Sequence, residues 1–388
     1  MQTNIIKTKN RDLALDALRG VFIVILTIDH MSGFFSKITW QTFGYVTVLP
    51  GFVFVSGYIV ARAYGGAMRK YGTLAGLRRI VGRIGQIYVW HVVAVIAVIG
   101  GTILLSPFLS DIDDNLGRVE TLIKVGLLYN LNYYFNIIPL YIFFLALAAV
   151  FLVTLRRYPF IIAMLGILIW LLADVIPKGL HPWADTAMLT PLRWQVLFTL
   201  GLAIGLMRMD GKMVTLPRWL YAGAAAVALV LFALRWHLVD PGIAPFESEL
   251  FGRNALQPGR LLNILCLILL ISSLLPHLRT WLQRSNTLIM VGQNSLIAFS
   301  LQIIIMHYLG MARRALEIPY QVSLSEITSP DFDWFALVNG ASIDVLAVVL
   351  VITSTYLVVG SRQTVRGQPS RQPLSTGDAA AGSGSDKG

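Results

Sequence analysis

The sequence predicts an all-α, polytopic integral membrane protein of about ten transmembrane helices, with both termini in the cytoplasm. Three observations carry this expectation. Hydrophobic residues make up 56% of the 388 and charged residues only 13%, a balance outside that of soluble domains. Apolar runs of about 18–22 residues recur along the chain, the length that crosses a hydrocarbon core about 30 Å thick. Lys and Arg gather in alternate connections, which orients the helices by the positive-inside rule.

The first span, 12–30, reads DLALDALRGVFIVILTIDH and holds Asp16, Arg19, Asp29 and His30 within an apolar helix. Arg19 and His30 are three turns plus about 20° apart, on one face and about 16 Å from each other. Asp16 stands one turn before Arg19, close enough to pair with it. Asp29 points about 100° away from His30, so it is not an evident orienting partner for the ring. Ionisable groups in a membrane helix cost about 2.5–3.5 kcal/mol each by insertion scales, so such a stripe faces a cavity or a partner. Helix-to-helix ties and snorkelling would account for Asp16 and Arg19, but suit His30 less well.

The remaining elements follow in order. A basic lead (Lys7, Lys9, Arg11) precedes the first span, and a second span is expected over 43–63, with Pro50-Gly51 and Ser56-Gly57 as sites of a kink or close packing. The densest basic segment, from Arg62 to Arg83, leads into a third span, 84–105, and an acidic loop, 111–120. Residues 119–136 are amphipathic and read as an interfacial helix. Further spans are expected at 137–155, 159–176, 193–207, 218–237, 259–275, 287–308 and 335–359, with 177–192 at the surface. One transmembrane domain, 1–360, is then followed by a Ser-, Gly- and Pro-rich tail, 361–388, expected to be disordered.

A cytoplasmic N-terminus puts most of the 31 Lys and Arg on that side and the acidic loop on the other. The net charge of +11 is then topogenic, and nucleic acid is not an expected partner. Cys266 is the single cysteine, and the six histidines show no paired ligand spacing, so neither a disulfide nor a metal site is expected. The opening lacks a short apolar core followed by a small-residue cleavage site, which argues against a removable signal peptide. No internal repeat stands out, which weakens a transporter built from duplicated halves.

The opening RDLALDALRGVFIVILTIDHM, with Arg19 and His30 in R-x10-H spacing, resembles the membrane acyltransferase-3 superfamily. PGFVFVSGYIVARAYG is similar to that family's aromatic-SGF segment, with Tyr58 where Phe is commoner, and RRIVGRIGQIYVWH to its Arg-rich third helix. LTPLRWQVLFTLGLAIG and VGQNSLIAFSLQ resemble the OpgC-type subgroup, whose members succinylate osmoregulated periplasmic glucans. The resemblance implies a bacterial inner-membrane enzyme that moves an acyl group from cytoplasmic acyl-CoA to a hydroxyl of an extracytoplasmic carbohydrate. In the subgroup the donor is succinyl-CoA, and no permanently bound cofactor is implied. A homodimer is left open.

Acyl transfer needs a base for the attacking hydroxyl and donors for the oxyanion. His30 is the candidate base and Arg19 the donor-positioning or oxyanion charge. Arg78, Arg79 and Arg83 are candidates for CoA phosphates, against a purely topogenic role. His91 is either an acceptor contact or a buried polar tie, His307 reads as interfacial, and His181, His237 and His277 read as solvated residues in or next to loops. Asn294, Ser295 and Gln302 are expected on one side of a continuous ninth helix, lining the cavity or bonding between helices. Ser56 is either a nucleophile or a packing residue; Trp183, Trp194 and Trp334 either stack on sugars or belong to an aromatic belt. Acetylation of a surface polysaccharide remains open within the enzyme class. An anionic-solute transporter or flippase and a scaffolding subunit remain open outside it.

Overall fold

The computed structural model describes residues 12–105, 118–129, 135–176, 189–212, 216–239, 242, 246–318 and 333–366, with side chains to 361. The described residues are helical with no strand among them. Helix α1 (Leu13–Met31) starts at Asp12, whose Oδ1 accepts from the Ala14 amide at 3.2 Å, and stops at Ser32 in the left-handed region, φ 55°. A short α2 (Ser36–Thr39) follows. α3 (Leu49–Val60) passes through a π-turn, Ala61–Gly65, into α4 (Gly66–Tyr71). α5 (Thr73–Val95) likewise passes through a π-turn, Ile96–Gly100, into α6 (Gly101–Leu105).

The chain continues as α7 (Val119–Gly126), α8 (Ile137–Thr154), α9 (Pro159–Leu172), α10 (Pro191–Met209) and α11 (Arg218–Arg235). It ends with α12 (Glu247–Phe251), α13 (Pro258–Arg284), α14 (Asn286–Gln293), α15 (Ser295–Ala315) and α16 (Trp334–Arg366).

Among the described residues six helices are long and apolar enough to cross a membrane: Thr73–Leu105, Ile137–Thr154, Arg218–Arg235, Pro258–Arg284, Ser295–Ala315 and Trp334–Ser361. The other four expected spans differ for physical reasons, and α3 is the shortest of them, with 12 residues before its π-turn. α1 and α10 have 19 residues each, but α1 carries Asp16, Arg19 and Asp29, and α10 carries Arg193, Gln195 and Arg208. Both are interior helices: α1 packs on α3, α13, α14, α15 and α16, and α10 on α3, α8 and α9. A helix wrapped by other helices can hold polar groups that a lipid-facing one cannot. α9 is apolar but only 14 residues long.

Several boundaries also move. The second span starts at Leu49, not 43, because Gly44 takes φ +93° and the Tyr45 amide donates to Asn263 Oδ1 at 2.8 Å, holding the preceding residues as a loop. Pro50 therefore opens the helix instead of kinking it, as its missing N–H allows in a first turn. α13 runs on through Pro276 to Arg284, so His277 lies within a helix, where it is exposed as expected. The expected continuous ninth helix is broken at Asn294, φ −109° and ψ 30°, into α14 and α15. α16 continues past Gly360 to Arg366; the remainder of the tail, the acidic loop 111–117, the segment 177–188 and the basic lead lie outside the described residues.

Backbones meet where glycines allow it. A methyl on Gly20 would strike the Leu288 carbonyl, and one on Gly292 the Asp16 carbonyl, so α1 and α14 touch main chain to main chain. Gly57 and Gly201 do the same for α3 and α10, against Phe198 and Phe54. These two contacts set the frame in which the polar groups of α1 are held.

Candidate functional site

The close α1–α14 contact brings the start of α15 against Arg19. The Arg19 guanidinium donates to Ser295 Oγ, and its carbon stands 5.3 Å from the centre of the Phe52 ring. Asp16, one turn earlier and buried, accepts from Gln293 Nε2 at 3.2 Å. Arg19 opens onto a cavity of about 580 Å³ between α1, α3, α5, α8 and α15. The walls are apolar, with Phe52, Ile87, Leu145 and Phe299 among them, while Arg79, Arg83, Ser56, Tyr64, Tyr141 and Gln293 supply polar groups. Such an apolar chamber with a few convergent polar groups is the usual form of a ligand site. The π-turn after α3 contributes Ala63 and Tyr64 to the wall, a common use of that irregularity.

Helical spacing sorts the candidate arginines. Arg79 and Arg83 are four residues apart on α5 and both line the cavity. Arg78, about 100° round the helix, is exposed and does not line it. Arg79 lies 5.3 Å from the centre of the Tyr71 ring, and Arg83 Nη1 donates to Gln86 Oε1 at 3.3 Å. Arg19, Arg79 and Arg83 thus bring positive charge to one chamber. A second cavity, about 540 Å³, shares Arg83, Gln86, Gln293 and Leu296 with the first and is bordered by Asn294 and Trp90.

His30 stands at the opposite end of α1, about 16 Å along the axis from Arg19 and outside the chamber wall. Its Nδ1 is 2.7 Å from the Leu26 carbonyl. That contact requires the proton on Nδ1 and leaves the Nε2 lone pair as the basic position. The Gln302 amide reaches the same nitrogen at 3.2 Å, and with Nδ1 protonated its carbonyl oxygen is the atom that belongs there. Asp29 does not orient the ring through a bond of its own; it accepts from Thr39 Oγ1 at 2.5 Å. With Asp344 Oδ2, which accepts from the Phe35 amide at 2.7 Å, it fastens the 32–48 loop over this end of α1.

The other candidates separate cleanly. His91 is fully buried, 2.8 Å from the Val125 carbonyl and edge-on to Phe135, so it ties α5 to α7. His307 is not interfacial: it is 4% exposed and 2.8 Å from Thr102 Oγ1. Trp194 is fully buried and donates to the Asn254 carbonyl at 3.1 Å, so it neither joins a belt nor meets a sugar. Trp334 is 63% exposed, and His181 and Trp183 lie outside the described residues. Ser56 Oγ accepts from the Tyr141 hydroxyl at 3.0 Å. Asn294 donates to the Met290 carbonyl at 2.9 Å at the helix break, while Gln302 is carried on α15 to His30. Gln293, Tyr64 and Tyr141 are cavity residues that sequence reasoning missed; a lone tyrosine in the otherwise apolar 137–154 run was the available signal.

Among the described residues no group of His, Cys, Asp and Glu could hold a metal ion. No curated protein and no solved structure matches the chain. A family model described as OpgC protein matches residues 11–325. That match covers most of the sequence and includes both ends of α1, the cavity and α15: the chain belongs to the OpgC protein family.

Proposed function

We infer that this chain is a membrane O-acyltransferase that moves a succinyl group from cytoplasmic acyl-CoA to a hydroxyl of a periplasmic glucan. Family membership supports a glucan-modifying acyltransferase. The observation that carries the finer reading is the chamber where Arg19, on the same helix as His30, converges with Arg79 and Arg83 of α5. In the proposed orientation this chamber opens to the cytoplasm of a bacterium, in its inner membrane. Ten spans and both termini inside belong to the same proposal. Arginine forks match phosphate oxygens, so Arg79 and Arg83 hold the CoA phosphates. Arg19, deeper along α1, stands beside the pantetheine arm, which reaches along the helix axis towards His30.

In the transfer step His30 Nε2 takes the proton of the glucan hydroxyl as its oxygen attacks the thioester carbonyl. The carbon–sulfur bond then breaks, and the CoA thiolate leaves and is protonated. Gln302 and the Leu26 carbonyl hold the ring in the required tautomer. Ser56 is bonded by Tyr141, and direct transfer uses no acyl-enzyme.

The test is mass spectrometry of periplasmic glucan from cells carrying the wild-type chain or His30→Ala at equal membrane abundance. A succinyl increment present in wild type and absent in the folded variant supports the reading. Unmodified glucan in both refutes it. An acetyl increment on surface polysaccharide favours the neighbouring acetyltransferase reading. Loss of anion flux with no CoA-dependent acylation favours a transporter.

A further inference from the structure

Three guanidinium groups collect at the His30 end of α1, remote from the chamber. Arg260, in the first turn of α13, is 4% exposed, and among the described residues its one hydrogen bond runs from Nε to the Phe251 carbonyl at 2.7 Å. No carboxylate is paired with it among the described residues. Arg253, partly buried between α12 and α13, lies 5.3 Å from the centre of the Trp40 ring. Arg235, at the end of α11, donates from Nε to Gln41 Oε1 at 3.0 Å. Arg253 and Arg235 both act electrostatically on Arg260, and Arg253 also acts on His30. Glu247, in the first turn of α12, is the acidic group at the edge of this cluster.

Burying a cation costs several kcal/mol unless an anion meets it, and gathering like charges beside it adds to that cost. A carbonyl on Nε does not neutralise Arg260. Among the described residues no carboxylate balances Arg260, and its planar guanidinium suits an anion with two oxygens in a fork. The Trp40 face supplies a flat wall, and the 32–48 loop that carries it is pinned by Asp29 and Asp344. We propose that Arg253 and Arg260, walled by Trp40, form a carboxylate-binding subsite beside His30. The inference rests on the acyltransfer reading above. The carboxylate is either the far end of a dicarboxylic acyl group whose carbonyl is at His30, or an acidic substituent of the glucan.

The experiment uses the full chain reconstituted in liposomes, wild type and Arg253→Gln. Donors are succinyl-CoA and butyryl-CoA, which match in chain length but differ in the distal carboxylate. Acceptors are a neutral and an acid-substituted β-glucan oligosaccharide, and products are quantified by mass spectrometry. Expected is a loss of about 10- to 100-fold in kcat/KM for succinyl-CoA on neutral glucan, with the butyryl rate kept, the size of one lost charged hydrogen-bonded pair. A loss that follows the acidic glucan with either donor keeps the subsite and assigns its carboxylate to the acceptor. An equal fall for all four combinations, or no change, overturns it.

A second arm does not depend on turnover and decides the matter if wild type transfers nothing, the outcome that defeats the acyltransfer reading alone. Methyl succinate, a monoanion, should raise the melting temperature of wild type but not of Arg253→Gln, and methyl butyrate should raise neither. No shift in wild type, or the same shift in the variant, overturns the subsite. Arg253→Gln carries the test because Arg253 is partly exposed, whereas Arg260 is built into the packed start of α13.

Discussion

Replacing Gly292 by alanine tests whether the α1–α14 contact positions the chamber. A methyl there would overlap the Asp16 carbonyl and crowd the Gly20 amide. Both are main-chain atoms of a buried helix, so no rotamer change relieves the clash and the two helices must separate. Overpacking of this kind costs about 1–3 kcal/mol. The same movement pulls Gln293 from Asp16 and Ser295 from Arg19, since both bonds begin within three residues of Gly292. A displacement of about 1 Å at a reacting constellation costs on the order of 100-fold in rate. Gly292→Ala should therefore lower the melting temperature in detergent and reduce glucan acylation by about two orders of magnitude. Gly310→Ala is the control: nothing lies within 4 Å of the added methyl, and helix propensity favours Ala over Gly by about 0.5–1 kcal/mol. A Gly292→Ala protein with wild-type melting temperature and turnover would refute the claim that this contact holds Arg19 in register.

Three further outcomes are expected. Arg83→Ala should raise KM for acyl-CoA about 10- to 100-fold with a smaller effect on kcat, whereas Arg78→Ala should leave KM unchanged; steady-state kinetics in liposomes reads both. Gln302→Leu should lower kcat and leave KM for acyl-CoA near wild type, because it frees the His30 ring without touching the chamber; an unchanged kcat removes Gln302 from that role. His91→Phe should cost about 1–3 kcal/mol of stability by leaving the Val125 carbonyl without its partner. Thermal denaturation checks this, and a lost activity in an equally stable protein would return His91 to the list of acceptor contacts.

The parts of this protein legible from sequence are those governed by short covalent spacing. The 3.6-residue period puts Arg19 and His30 on one face of α1 before any partner is known, whereas only the cavity sets Arg78 apart from Arg79 and Arg83. Hydropathy finds the helices long and apolar enough to cross a membrane, such as α8 and α13. The same measure undervalues α1 and α10, because their polar groups are covered by neighbouring helices that no local window contains.

Tertiary structure alone decided which groups meet. Ser295 reaches Arg19 across 276 positions, and Gln302 reaches His30 across 272. Asn294 and Gln302 read as one face of one helix, but the break at Asn294 aims their surroundings at different ends of α1. The sequence assigns Arg253 and Arg260 no role, yet folding buries Arg260 and sets Arg253 against Trp40. Hydrogen bonds and charge pairs depend on distances of a few ångströms. Helix packing sets those distances, and Gly20, Gly57, Gly201 and Gly292 determine how close the packing comes.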